Sequence, residues 1–237
     1  MVQEAVERAL AIVAHPDDVD FGAAGTVANW TDAGTRVTYC IVTDGAAGGF
    51  DPGVPRSEMA GLRQDEQRAA AKVVGVEDVV FLGYPDGRLQ PSLELRQDLS
   101  RVIRQVRPDR VLTASPERNW ARLPASHPDH LSVGEAAMCA VYPDARNPFA
   151  FPSLLEEGLQ PHVVPEVWLM GSPRADHFVD ITANFERKVA ALLCHASQLP
   201  DPDAVVEMVR AWTAATAEQV GDPACRHAEA FFVVRSG

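Results

Sequence analysis

The sequence predicts an α/β protein: a Rossmann-like, open and mostly parallel sheet with helices on both faces, in a single domain over residues 1–237. Three observations predict it. Apolar runs rich in Val and Ile alternate with longer stretches of helical period, the pattern of βαβ units around a parallel sheet. A length of 237 residues with 46% hydrophobic content suffices for one sizeable core. No internal repeat, low-complexity tract or polar linker separates two halves.

Strands are expected at 8–14, 36–42, 77–82 and 109–114, each a short run dominated by apolar and β-branched residues. Helices are expected between them at 22–33, 57–74 and 92–106, followed by one at 128–141. "EVWLM" (166–170) and "HFVDI" (177–181) read as later strands. Helices at 182–198 and 202–220 follow, and "AFFVVR" closes the chain as a last strand. Prolines cluster at 143–165 and mark a long irregular connection, of the kind that tends to be functional or mobile.

Charge narrows the partners. Lys and Arg number 21 against 33 Asp and Glu, a formal net charge of −12, which repels phosphate backbones and anionic lipid. No nucleic-acid or membrane partner is expected. The most basic stretch, Arg96 to Arg110, is broken by Leu99, Val102, Ile103 and Val106 and reads as an amphipathic helix with a solvated face. Cys40, Cys139, Cys194 and Cys225 form no C-x-x-C pair and read as free thiols in apolar surroundings. The start, "MVQEAVERALAIVAH", lacks the basic beginning and long apolar run of a leader, so a soluble, cytoplasmic protein is expected.

In an open α/β sheet, ligands bind beyond the carboxyl ends of the strands where the strand order reverses. With an order of 3-2-1-4-5, that crevice lies between the first and fourth strands. "AIVAHPDDVD" (11–20) brings His15, Asp17 and Asp18 out of the first strand, and "SPERNWARLPASHPDH" (115–130) brings His127, Asp129 and His130 out of the fourth. Two ionisable clusters far apart in sequence thus reach one crevice. Neutral imidazole and carboxylate suit zinc, and two histidines with one carboxylate leave a fourth position open for water. Either motif alone has a simpler reading, an aspartate capping a helix and a histidine bonded to a carbonyl. Two such motifs at one crevice are harder to assign to capping twice.

"AHPDD" at 14–18 with "HPDH" at 127–130 resembles the LmbE-like, PIG-L superfamily of zinc-dependent deacetylases, which remove N-acyl groups from amino sugars and related metabolites. "RQDE" at 63–66, "FLGYPDG" at 81–87, "VDIT" and "KVAALLCHASQ" look like further landmarks of that family. The resemblance implies one zinc ion per chain, held by His15, Asp18 and His130. It makes Asp17 the general base assisting attack by zinc-bound water, and His127 the acid or oxyanion stabiliser. Spacing alone does not separate Asp17 from Asp18. Asp129 is a candidate for orienting an imidazole, or equally a first-turn aspartate favoured by the helix dipole.

Arg63 and Asp86 are the candidate substrate-binding residues. "RQDEQR" equally suits a salt-bridged solvent face, and Pro-Asp-Gly an ordinary turn. If both bind substrate uniformly, their replacement by Ala raises KM more than it lowers kcat. "TDGAAGGF" (43–50) reads as a mobile rim, and His195 as a core or subunit-contact histidine. Only 7% of residues are aromatic and no stripe of them accompanies the motifs, so a small, polar, sugar-like substrate is expected.

One departure stands out. Some sugar-deacetylating members of the superfamily carry a tyrosine two residues before the first histidine of the second motif, and here that position is Ala125. Competing readings are an amidase of a thiol-sugar conjugate and a non-catalytic metal- or sugar-binding protein, which would need neither base nor open position. A nucleotide-binding dehydrogenase is disfavoured because "FGAAG" lacks the G-x-G-x-x-G pattern. Oligomers are common in such enzymes, and nothing in the sequence fixes a subunit number.

Overall fold

A computed structural model describes residues 6–51 and 53–237. The first five residues, part of the stretch read above for a leader, lie outside the described residues. Strands β1 (Arg8–Val13), β2 (Arg36–Thr43), β3 (Asp78–Tyr84), β4 (Arg110–Ala114), β5 (Glu166–Met170), β6 (His177–Asp180) and β7 (Ala228–Arg235) form one sheet in the order β3-β2-β1-β4-β5-β7-β6. Neighbours from β3 to β5 run parallel, and β7 is antiparallel to both β5 and β6. The order reverses between β1 and β4, where the sequence places the crevice.

Helices cover both faces because the central strands are apolar on both. Ala9, Ala11 and Val13 of β1 face one core with α1 (Asp18–Asp32), α2 (Arg56–Val73) and α6 (Phe185–Leu193). Leu10 and Ile12 face the other, with α3 (Leu93–Val106) and α4 (Pro128–Cys139). This alternation inside a wholly buried strand is what a parallel, doubly covered sheet requires. Among the described residues two further α-helices are α5 (Pro152–Glu156) and α7 (Pro202–Ala217). No helix among the described residues is long and apolar enough to cross a membrane.

The boundaries differ from expectation where side chains hold the backbone. Helix α1 starts at Asp18, not near residue 22, because the Asp18 carboxylate accepts the His15 N–H at 2.8 Å and closes the turn directly behind β1. The helix expected over 182–198 is regular only over Phe185–Leu193. Beyond it the Ser197 N–H and hydroxyl bind the Glu66 carboxylate and draw the chain into a tight turn. The arginine stripe of α3 is not simply a solvated face. Arg96 grips Asp144 with two bonds of 2.9 Å, and buried Arg104 donates to the carbonyls of Asp144, Ala145 and Asn147. Those arginines pin the long proline-rich connection to the domain. Arg110 starts β4, and its guanidinium lies over the rings of both Trp30 and Trp168.

One glycine sets the approach of α4. A Cβ on Gly134 would lie 2.4 Å from the Ala114 carbonyl oxygen, so only glycine lets this helix lie against the end of β4. That contact brings the start of α4 beside the end of β1.

Candidate active site

Four residues separate β1 from α1, and the candidate site residues His15 and Asp17 are among them. Asp17 has φ of 91°, a left-handed backbone that costs a non-glycine residue about 1–3 kcal/mol and persists only when its surroundings hold it. Arg63 and Gln67 of α2 hold it. The Arg63 guanidinium donates to the carbonyls of Gly45 at 2.8 Å and Pro16 at 2.7 Å and to the Asp17 carboxylate at 3.2 Å. The Gln67 side-chain oxygen accepts the Asp17 N–H at 2.9 Å, while its amide nitrogen donates to Asp20. Arg63 is only 4% exposed, so it does not belong to a solvent face.

The two histidine motifs meet. His15 Nδ1 lies 3.3 Å from His130 Nε2, His130 Nε2 lies 2.9 Å from one Asp18 oxygen, and His15 Nδ1 lies 3.6 Å from the other. On its far side His15 Nε2 faces Asp86 at 3.2 Å and Asp129 at 3.3 Å. Asp129 is buried and also accepts the N–H groups of Gly87 and Leu89. It is thus both a first-turn residue of α4 and a partner of an imidazole. Asp86 further accepts the Ala47 N–H at 2.9 Å.

Electrostatics follow from this crowding of carboxylates. Burial opposes a charge on His15, but Asp18, Asp129 and Asp86 outweigh it and push its pKa up to about 12. Burial raises Asp17 to about 6 against the opposing charge of Arg63. Asp18 is buried too, yet His130 and His15 hold its carboxyl well below the usual range. Burial, with the neighbouring charges of His15 and His130, lowers the pKa of His127 and favours its neutral form. His127 Nδ1 accepts the Asp129 N–H at 3.2 Å, so the ring proton sits on Nε2.

Seven of the eight residues singled out in the sequence line one cavity of about 700 Å³: His15, Asp17, Asp18, Arg63, Asp86, His127 and His130. Asp129 sits directly behind it. The expected rim loop, 43–50, borders the cavity but is tied down by the Ala47 bond to Asp86 and a Gly49 N–H bond to Gln198. His195 is fully buried and bonds Asp20 at 2.8 Å, as a core histidine does. Sequence reasoning missed Gln67, although it lies one helical turn from Arg63 and so on the same face. It also missed an apolar half of the cavity formed by Phe21, Met170, Met208 and Trp212.

Residues 10–141, more than half of the chain, match the PIG-L family, described as GlcNAc-PI de-N-acetylase. The chain belongs to the PIG-L family. A diacetylchitobiose deacetylase of Thermococcus kodakarensis is 35% identical over 83% of this chain and 72% of its own length. A probable N-acetyl-alpha-D-glucosaminyl L-malate deacetylase 2 of Bacillus cereus is 29% identical over 80% and 82%. Among solved structures, the N,N'-diacetylchitobiose deacetylase from Pyrococcus horikoshii in complex with its inhibitor superposes with a TM-score of 0.90 at 30% identity, covering 98% of this chain and 85% of that one. This PIG-L protein is therefore an enzyme, a hydrolase of amide bonds of the N-deacetylase type. Its histidines and aspartates form a candidate metal site: the donor atoms of His15, His127 and His130, and those of His15, Asp86 and Asp129, each lie within 4.8 Å of one another.

Proposed function

We propose that this protein is a zinc-dependent hydrolase that removes an N-acetyl group from an amino sugar or a related small metabolite, with one zinc ion per chain held by His15, Asp18 and His130. The spacing of these donors carries the reading. Zinc bonds of about 2.0–2.1 Å at tetrahedral angles set neighbouring donor atoms about 3.3 Å apart. Here His130 Nε2 lies 3.3 Å from His15 Nδ1 and 2.9 Å from one Asp18 oxygen, and the other Asp18 oxygen lies 3.6 Å from His15 Nδ1. The donor chemistry fits as well, because two imidazoles and one carboxylate leave a position facing the cavity. The alternative groups are less suited. Asp129 is engaged by two backbone N–H groups as well as His15, and the Nδ1 of His127 is engaged by a third.

A metal ion at this site supplies a lowered pKa for a bound water and polarises the acyl oxygen. The chain's own residues do the rest. Asp17 accepts a proton from the attacking water, its burial making it a better base than an ordinary aspartate. The His127 Nε2–H donates to the oxygen that gains charge as the acyl carbon becomes tetrahedral. When the carbon–nitrogen bond breaks, the proton taken from water returns to the leaving amine, and acetate and the free amine depart. Asp129 and Asp86 hold the His15 ring from behind, as carboxylates do for ligating histidines. Arg63 fixes Asp17, and with Asp86 it walls the polar end where sugar hydroxyls would lie.

The test is a screen of N-acetylated amino sugars and amino metabolites with zinc-loaded protein, following acetate and free amine by mass spectrometry. Equimolar zinc, release of both products and loss of activity on chelation with the fold intact are expected. Full turnover in rigorously metal-free protein overturns the reading.

A further inference from the structure

The candidate reactive groups make up only part of the cavity's lining. Phe21 of α1, Met170 of β5 and Met208 and Trp212 of α7 supply an apolar part of it, the apolar half. A Cβ on Gly22 would lie 2.6 Å from the Met170 sulfur, so glycine there lets the methionine lie across α1 as the floor of this half. Trp212 is fixed by Arg122, whose guanidinium lies 3.7 Å from the ring centroid. Ala125, two residues before His127, lines the cavity as well, and its small side chain takes little of the space.

Asn119, Thr213, Thr216 and Glu229 on this lining already have hydrogen-bond partners, whereas the Arg122 guanidinium only stacks on Trp212 and keeps its N–H groups available. Asn119 bonds the Gly171 carbonyl and accepts the Ala121 and Arg122 N–H groups. The Thr213 hydroxyl donates to the Val209 carbonyl, and that of Thr216 to the Trp212 carbonyl. Glu229 binds Lys188 and the N–H groups of Gly25 and Thr26. A second sugar ring here would find donors at Arg122 alone, and the hydroxyls out of its reach would be buried unpaired, which is unfavourable. Thioether and aromatic walls suit alkyl or aryl groups instead.

We propose that this half of the cavity takes an apolar group covalently carried by the substrate, either an acyl chain longer than acetyl or an apolar aglycone on the amine side. The inference rests on the amide-hydrolase reading of the adjoining polar end. It adds an apolar part, beside α7, to the small, polar, sugar-like substrate expected from the sequence.

Two substrate series separate the two sources. One is glucosamine carrying N-acetyl, N-butyryl or N-hexanoyl groups; the other is N-acetylglucosamine as its methyl, butyl or hexyl glycoside. Each fully buried methylene is worth about fourfold in affinity, so kcat/KM is expected to rise at least about tenfold along one series. Trp212→Ala and, on the exposed wall, Met208→Ser are expected to remove most of that rise. Calorimetry on metal-free protein gives a readout independent of turnover. Hexyl glucosaminide and hexanoic acid, one for each source, are compared with methyl glucosaminide and acetate. Tighter binding of at least one hexyl probe, with a more negative heat-capacity change that Trp212→Ala abolishes, supports the inference. Equal binding of long and short probes overturns it, even if N-acetylglucosamine is hydrolysed. Failure to hydrolyse any N-acetyl sugar with zinc bound overturns the proposed activity and leaves the binding comparison decisive for the apolar half.

Discussion

Replacing Arg63 by Met is expected to damage both the fold and the chemistry, and the structure gives the size of each effect. The change keeps much of the side-chain volume but removes the donors to Gly45, Pro16 and Asp17. The ion pair with Asp17 is largely shielded, its side chains being 5% and 17% exposed. Removing one partner of a buried pair costs about 3–5 kcal/mol, and each carbonyl left unpaired adds about 1–3 kcal/mol. These terms share one guanidinium and do not add fully, so a loss of about 3–5 kcal/mol is expected, a large fraction of the roughly 5–15 kcal/mol that holds a domain together.

The chemical effect follows from the Asp17 backbone. Arg63 binds the carbonyl of Pro16 and the carboxylate of Asp17, so it clamps both ends of the strained residue whose φ is 91°. Without the clamp Asp17, the proposed base, shifts, and a displacement near 1 Å of such a group costs about 10²-fold in rate. Arg63→Lys keeps the charge but cannot span three acceptors, and its kcat should fall between wild type and Arg63→Met. The assay is urea unfolding of the metal-loaded variants beside separate measurement of kcat and KM. If Arg63→Met raised KM alone, with kcat and stability unchanged, the residue would be a uniform binder of substrate and the clamp argument would fail.

Asp17→Asn should lower turnover by roughly 10²–10⁴ with zinc retained, whereas Asp18→Asn should lose zinc; metal analysis beside kcat checks both, and the reverse pattern exchanges their roles. His127→Ala should keep zinc and lower kcat by at least about 10², the more so because Ala125 offers no hydroxyl to share the load, while His130→Ala should lose the metal. His195 supplies a test by pH. Burial opposes its charge, but the hydrogen bond and charge of Asp20 outweigh it and raise its pKa above 6.5. A raised folded pKa contributes stability fully present below the unfolded value of 6.5 and lost as pH climbs through the folded value. The stability gap between wild type and His195→Gln should therefore be widest below pH 6.5 and narrow at alkaline pH; a gap independent of pH in denaturant titrations would contradict the charged pair.

What was legible in the sequence is what period and topology control. Strands buried on both faces must be apolar throughout, so β1, β2 and β4 are visible as runs, and the reversal of strand order brings His15 and His130 together before any coordinates are known. Helix α2 shows why other features were hidden. Its buried positions are Met59, Arg63, Glu66, Gln67, Ala70 and Ala71, a clean helical stripe in which half the members are polar. A reading that equates buried with apolar assigns that stripe to solvent, although burial here follows from partners: Asp17 for Arg63 and Gln67, Ser197 for Glu66. The apolar half of the cavity was hidden for the opposite reason. Met208 and Trp212 are four apart on α7 and plainly share a face, but that face borders the reaction centre only because Met170, brought by β5, and Phe21, just inside α1, close the other side. Spacing within an element tells which side chains travel together, and packing between elements decides whether they become core or the wall of a binding site. The same packing fixes the position of Ala125, which lines the cavity beside Gly171, so a larger side chain there would take space from the substrate.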